Sequence, residues 1–570
     1  MTSVVWFKRD LRLHDHAPLV AAAQHGPVLA LHITEPSLLA SDLFDASHAD
    51  FIEQSLAALA QALARCGGRL VRRYGEVVPV LHALHQTTRF TQLWSHEETG
   101  QRLTWDRDRA VAAWCRAHRV GWTELPQNGV VRRLPSRNGW ARRWDSRMAT
   151  PQLAAPLHIA PVPGVESAPP PAGLSARHGQ RKPLAQAGGA AAGQALLGTF
   201  LAARGVDYRR GMSSPISAET ACSRLSPHLA WGTLSLRSVS HAADARAAEL
   251  RALHAAGAPI DARWPGAVKS FQGRLRWHCH FMQKLEDEPQ IEFNNFSRAC
   301  DGLRPDRGEP GFREDWLAAW AAGRTGYPMI DACMRALLAT GWINFRMRAM
   351  LMSFAAYHLW LHWRQPALHL ARQFVDFEPG IHFSQCQMQS GTTGINTLRI
   401  YSPTQQARVQ DPDGHFIRRW VPELARVPAG FVHEPWRMPD GLQQRTGCRI
   451  GGAGAGDGLG ARAQEGAGVD VGAVVGADLE ADLSADLGAR AYPAPLVDHA
   501  TAWRAARERL GAVRSSAAAR SQADASQQRH GSRKSGIAPV ARAGATATGK
   551  AAGAAPATAV QLSLWDAGDP

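Results

Sequence analysis

Strand and helix patterns alternate through the first 130 residues, and that alternation limits the chain to very few folds. The apolar runs SVVWF, PVLALHI, RLVRRYG, FTQLWSH and GWTEL read as strands. Between them lie the helical patterns DHAPLVAAAQ and ADFIEQSLAALAQALARC, and a helix around Trp105–His118. Parallel strands need crossover helices, so an α/β doubly wound parallel sheet is expected over residues 1–130. The first turn, FKRDLRLHD, has no G-x-G-x-x-G, and no G-x-x-x-x-G-K-[ST] occurs. A pyrophosphate cradled in the usual way is therefore excluded there. A ligand at the strand ends, or a plain scaffold, both remain open.

The rest of the 570 residues divides by composition. Residues 131–195 are rich in Pro, Gly and Arg and read as a linker; 196–446 read as a large all-α domain dense in Trp. The Gly/Ala-rich insertion 447–490 cannot bury a core and is expected to be disordered. A terminal helix over 491–513 and a second disordered tail over 514–570 follow. The eight cysteines are scattered without a C-x-x-C, and MTSVVWFKRDL lacks a signal peptide's apolar run, so a cytoplasmic protein is expected. MLMSFAAYHLWLHW is too short to span a bilayer, which argues against a membrane protein. The net charge of +15 is carried mainly by Arg and makes nucleic acid a candidate partner, although base composition of the gene gives the same bias.

Within the helical region, CSRLSPHLAWGTLSLRSV opens with hydroxyls and a Pro before a helix start, an arrangement suited to phosphate as well as to plain capping. Gly266–Glu286 places Phe271, Arg274 and His278 along one stripe; an exposed, salt-bridged helix is the alternative. Arg346 and Arg348 sit in an apolar helix, and a buried guanidinium needs an anion, for which Asp376 is the best candidate. His278, Cys279 and His280 point apart on a helix, and Cys300, Cys333, Cys386 and Cys448 lack compact spacing, so no metal or iron–sulfur site is expected.

Taken jointly, VVWFKRDLRLHDHAPL, SRLSPHLAWGTLS, AAGRTGYPMIDACMRALLATGWINFRMR and LRIYSPTQQARVQDPDGHFIRRWVPEL resemble the photolyase and cryptochrome family over residues 3–440. The resemblance implies FAD in the helical domain and an antenna domain holding a second chromophore, a folate or a deazaflavin. It implies a monomeric carbon–carbon lyase of the deoxyribodipyrimidine photo-lyase type that repairs damaged DNA under blue light. A cryptochrome-like photoreceptor without repair is the alternative. Residue by residue, the family's cofactor contacts fall on Tyr208, Cys222, Ser223, Arg224, Leu225, Ser226, Phe271, Arg348, Asp376, Phe377 and Glu378. Its DNA and lesion contacts fall on Arg210, Arg274, Trp277, Phe345, Arg346 and Gln406, and its electron relay on Trp363, with Trp360 as a further relay candidate.

The departures are specific. The family's substrate-facing glutamate becomes Arg274, an Asn becomes Phe345, a Met becomes Ala349, and two aromatics of the usual W-Q-W become Ser384 and Cys386. The segment HFSQCQMQSGTTGINTLRIYSP is thus expected to line the flavin and substrate cavity with Gln, Met and Cys in place of a Trp floor. Finally, QLSLW (Gln561–Trp565) resembles the peptide by which bacterial repair proteins dock on the replication sliding clamp.

Overall fold

The computed structural model describes residues 2–170, 178–179, 181–396, 398–451 and 490–530. Five parallel strands form the expected sheet in the order β3-β2-β1-β4-β5. They are β1 (Ser3–Phe7), β2 (Val28–Thr34), β3 (Leu70–Tyr74), β4 (Gln92–His96) and β5 (Gly121–Leu125). Helices α1 (Ala17–His25), α2 (Ala46–Arg65), α3 (Val77–Thr88) and α4 (Arg102–Ala117) cross between them. Successive residues of a strand face opposite ways, so Val4 and Trp6 enter one core while Val5 and Phe7 enter another. Burial on both faces is why the inner strands β1 and β2 are nearly continuous apolar runs, while the edge strands β3 and β5 are only partly buried and carry Arg, Thr and Glu.

The linker reading of 131–195 is corrected in part. WARRWDSRMA forms α5 (Trp140–Ala149), with Trp140, Trp144 and Met148 buried. Arg147 fastens α5 by donating to the carbonyls of Asn128 and Val130 (2.7 and 2.6 Å). The extended run beyond it is stitched to the α/β domain by Val28 N to Ala160 O and Ala168 N to Arg72 O (2.8 and 2.9 Å). Helix α6 (Ala190–Ala202) then begins the helical domain.

That domain is organised by α7 (Trp264–Asp287), α8 (Pro328–Thr340), α9 (Phe345–Ser353), α10 (Arg364–Gln373), α11 (Pro379–Ser390) and α12 (Pro403–Gln410). Helix α7 is a core helix, not an exposed salt-bridged one: Phe271, Leu275, Cys279 and Met282 are all buried. It crosses α11 closely, for a Cβ on Gly380 would lie 2.5 Å from Met282 Cα, so only glycine allows the approach. The apolar helix that holds Arg346 and Arg348 gives way to a π-turn at Phe354–His358, and Trp360 takes a left-handed φ of 52°.

The C-terminal expectations also change. Strands β6 (Cys448–Gly451) and β7 (Arg490–Pro493) pair in parallel at the two edges of the insertion. Residues 452–489 lie outside the described residues. The terminal helix is α13 (His499–Ser515), and the stretch read as disordered from 514 forms α14 (Ala517–His530). Its alanines favour helix, and it docks: Gln522 Oε1 accepts from Ser297 Oγ and Ala299 N (3.2 and 3.0 Å). The QLSLW peptide lies outside the described residues. No described helix is long and apolar enough to cross a membrane.

Candidate functional site

Phe271 on α7 packs its ring 4.8 Å from Phe200 and 6.0 Å from Tyr208. Burial pushes the Tyr208 phenol up to about 12, and its hydroxyl is hydrogen-bonded with Arg274. Arg274 also reaches the Met212 sulfur at 3.9 Å. Across from it, Asn344, the residue just before α9, donates from Nδ2 to the carbonyls of Met212 and Ser213 (3.0 and 2.8 Å). The Met212–Ser213 turn therefore ties α7 to the start of α9.

Arg348 and Asp376 form the pair that burial of an arginine demanded. Nη1 and Nη2 donate to Oδ1 and Oδ2 at 2.9 and 2.7 Å, and Nε donates to Ile343 O at 2.7 Å. The guanidinium lies 4.1 Å over the Phe374 ring, while the Asp376 side chain is only 2% exposed. This fork-to-fork geometry offsets the desolvation of both charges.

The Cys222–Ser226 loop is shaped by arginines. Arg204 donates to the carbonyls of Thr220, Cys222 and Ser223. Arg224, with a left-handed φ of 62°, bonds Gln186 Oε1 at 3.0 Å and lays its guanidinium 3.9 Å over Trp342. Burial raises the Cys222 thiol to about 11 even though Arg224, Arg204, Arg348 and Arg274 all act to lower it. Those guanidiniums make the loop a place for an anion. Leu225, by contrast, is 1% exposed and belongs to the hydrophobic core.

A group of polar atoms nearby is buried without a hydrogen-bond partner: Asn344 Oδ1, Arg346 Nε, Gln385 Oε1, both polar atoms of the Gln389 amide, and Gln406 Oε1. They lie on or next to α9, α11 and α12. Native interiors pair nearly all such atoms, so this set fits a polar ligand. An FAD-type group suits it: cationic loop for phosphates, ion pair and Phe271 for the ring, amides for heteroatom edges.

Other expected residues are placed as follows. Trp277 is half-buried, with its ring 5.1 Å from His280 and 5.5 Å from Phe281. Phe345 and Arg346 are half-buried in the first turn of α9, Gln406 is buried, and Arg210 is exposed. Phe377 packs against His48 of the α/β domain (6.1 Å) instead of turning toward the ion pair. The Glu378 carboxyl, next to it, is pushed up to about 7 by burial, with Oε2 3.5 Å from Arg9 Nη2 and Oε1 unpartnered. Trp363 is fully buried and donates to Asn295 Oδ1 at 2.8 Å. Trp360 lies between Arg304 and Arg509 (4.5 and 4.7 Å), a poor place for a positive hole.

The polar segment of α11 divides its duties. Gln387 is a structural knot: its amide takes Phe296 N at 2.8 Å and gives to the carbonyls of Ile291 and Asn294 (2.9 and 2.8 Å). Ser384 reaches Phe281 O at 3.4 Å, and Cys386 Sγ lies 3.6 Å from His382 Nε2. Gln385 and Gln389 are left for a ligand. Sequence reasoning missed Asn344, Arg204 and Arg9. For Asn344 the signal was an Asn directly before an apolar helical run; for Arg204 there was none.

A cavity of about 890 Å³ of empty space opens at the strand ends, walled by Trp6, Leu38, Phe44, Trp231 and Phe377. Arg107 beneath it bonds Glu35, Glu98 and Asp108 at 2.7, 2.7 and 2.8 Å. Burial acts against the Arg107 charge, but these carboxylates outweigh it and hold the guanidinium firmly protonated. Asp10, His16 and His96 also meet, as hydrogen bonds: Asp10 Oδ2 accepts from His16 Nε2 at 2.9 Å and His96 Nδ1 at 2.6 Å.

An α/β domain joined to a helical domain that gathers arginines and unpartnered amides is an arrangement that suits a flavoprotein of two domains. The comparisons with known proteins agree. Residues 3–134 match the DNA photolyase family model, and residues 271–454 match the FAD binding domain of DNA photolyase. A deoxyribodipyrimidine photo-lyase of Streptomyces griseus is 29% identical, covering 76% of this chain and 92% of its own. A cryptochrome DASH of Gloeobacter violaceus is 27% identical, covering 79% and 91%. The crystal structure of a class III photolyase from Agrobacterium tumefaciens superposes with a TM-score of 0.71 at 25% identity, over 90% of this chain and 98% of that one. The chain belongs to the photolyase/cryptochrome family, and FAD is its cofactor.

Proposed function

We propose that this protein is a blue-light-driven DNA photolyase acting on UV-induced pyrimidine dimers. Reduced FAD, when bound, supplies a light-excited electron that splits a flipped-out dimer and then returns. Tyr208, the Cys222–Ser226 loop and Arg348–Asp376 orient the cofactor. Trp277 offers a stacking surface to the extruded base, and Gln406, Arg346, Phe345 and Arg210 meet the DNA strand. The observation that carries this reading is the half-buried Trp277 on the same helix as Phe271 and Arg274. Arg274 places positive charge where the transferred electron makes the dimer negative, a stabilisation the usual glutamate cannot give.

A cryptochrome-like photoreceptor is the second reading, favoured by Arg274, Phe345, Ser384 and Cys386, and by the docked helices α13 and α14. In either case the strand-end cavity suits a planar antenna chromophore between Trp6 and Trp231. The test is blue-light turnover of oligonucleotides carrying one cyclobutane dimer or one 6-4 photoproduct by the reduced, FAD-loaded protein, with a dark control. Light-dependent restoration of either supports repair; none, with flavin bound and photoreducible, favours the photoreceptor.

A further inference from the structure

Helix α5 is fastened to the helical domain by one face. Trp140, Trp144 and Met148 are buried there, in the same core as Phe271 and Cys279 of α7. Along its other side runs an open groove of about 1170 Å³ of empty space. The groove wall includes Asn138, Arg142, Arg143, Ser146, Arg147 and Thr150, and among the described residues it holds no acid. Arg143, Ser146 and Thr150 recur at helical spacing, so one side of the helix gathers them.

The arginines around this groove differ in what they hold. Arg147 is spent on the carbonyls of Asn128 and Val130. Arg276 pairs with Asp145 and lies 5.2 Å over the Trp144 ring, and Arg237 pairs with Asp15. Arg142 and Arg143 are exposed, and their side chains make no ion pair or hydrogen bond among the described residues. Two uncommitted guanidiniums in a wall without acids are complementary to phosphate, which arginine meets as a fork with two parallel bonds.

The groove starts beside Trp277. Arg137, next to Asn138, bonds His280 Nδ1 at 2.6 Å, and the His280 ring lies 5.1 Å from Trp277. Trp140, the first residue of α5, has its ring 5.9 Å from the same imidazole. We propose that the nucleic-acid strand flanking the base at Trp277 continues along α5, where Arg142 and Arg143 each take a backbone phosphate. The inference rests on the DNA reading of Trp277 and extends it onto the segment that joins the two domains. Helix α5 is about 15 Å long, the axial rise of about four phosphates of one strand. Such contacts position the strand and add affinity to any duplex, and they carry no information about the lesion.

The experiment is a salt titration of DNA binding, read by fluorescence anisotropy with the full-length, FAD-loaded protein in the dark. Two labelled duplexes of one sequence are compared, one intact and one carrying a cyclobutane dimer. Each phosphate contact adds about 0.9 to the slope of log K against log salt, so Arg142→Gln with Arg143→Gln is expected to lower the slope by about 1.8 on both duplexes. The preference for the dimer duplex is expected to stay at its wild-type value. Arg142→Lys with Arg143→Lys keeps both charges and is expected to keep the slope. An unchanged slope in the glutamine pair, or an equal loss in the lysine pair, overturns the proposal, as does a wild type that binds neither duplex. Equal wild-type affinity for the two duplexes, with the slope still lowered by the glutamine pair, counts against dimer repair and supports the α5 contact.

Discussion

The strand-end cavity and the side-chain cluster around Arg348 differ in how their polar groups are satisfied. At the strand ends, Arg107 engages Glu35, Glu98 and Asp108, and the walls above are mostly apolar. Around Arg348 one ion pair is complete, yet Asn344, Arg346, Gln385, Gln389 and Gln406 all hold buried atoms with no partner. The first region is nearly finished by folding, with His32 Nδ1 and Gln101 Oε1 the buried side-chain atoms of its lining left unpartnered among the described residues. The second is finished only by a ligand, because unpaired buried polar atoms cost free energy until something bonds them.

Breaking the finished region should have the largest effect. Arg107→Leu leaves buried Glu35 without its cation and reduces Asp108 and Glu98 to their bonds with Lys8 and Gly100 N, and should cost about 3–5 kcal/mol in unfolding free energy, read by denaturant titration. Breaking the unfinished region should tell first on the ligand: Asp376→Ala leaves Arg348 unpaired and should weaken FAD binding by about 1.5–3 kcal/mol, read as flavin content and reduction. Normal flavin content would remove Asp376 from the site. Trp277→Ala should weaken binding of dimer-containing DNA by roughly 1–3 kcal/mol while leaving intact duplex little changed.

The smallest expected effect concerns α14. His530 is buried against Phe296 and bonds Glu288 at 2.6 Å, beside Lys284 and Arg137. Burial holds the docked imidazole below its unfolded value of about 6.5. As pH falls below that value, the free arm takes up protons the docked arm refuses, so docking weakens. Glu288 adds to this. Burial opposes its charge, but the bond from His530 outweighs it and holds the carboxyl below its usual range, so its contribution is also lost in acid. The protection factor of α14, its exchange set against the intrinsic rate at each pH, should fall toward acid, with that of the sheet unchanged.

The sheet was legible because strands buried on both faces, β1 and β2, must be nearly apolar throughout, and the partly buried edge strands β3 and β5 were marked by their alternation with helical patterns. The Arg348–Asp376 pair was legible for a related reason: a guanidinium in an apolar helix requires an anion. Helix α5 was hidden because its Trp pair sits among Pro and Gly that read as linker. Helix α14 was hidden because Ala, Ser and Gln give no apolar stripe, and its docking depends on Gln522 and His530 meeting residues far away in the chain. The seam position of Phe377 against His48 depends on how the domains pack, which local pattern does not encode.

The most direct test of this contrast is hydrogen exchange of the apo protein with and without a single equivalent of FAD. The account predicts protection gained in α7, α9, α11 and the Cys222–Ser226 loop, with β1 to β5 unchanged. Protection confined to the strand ends, or none in the helical domain, would contradict it.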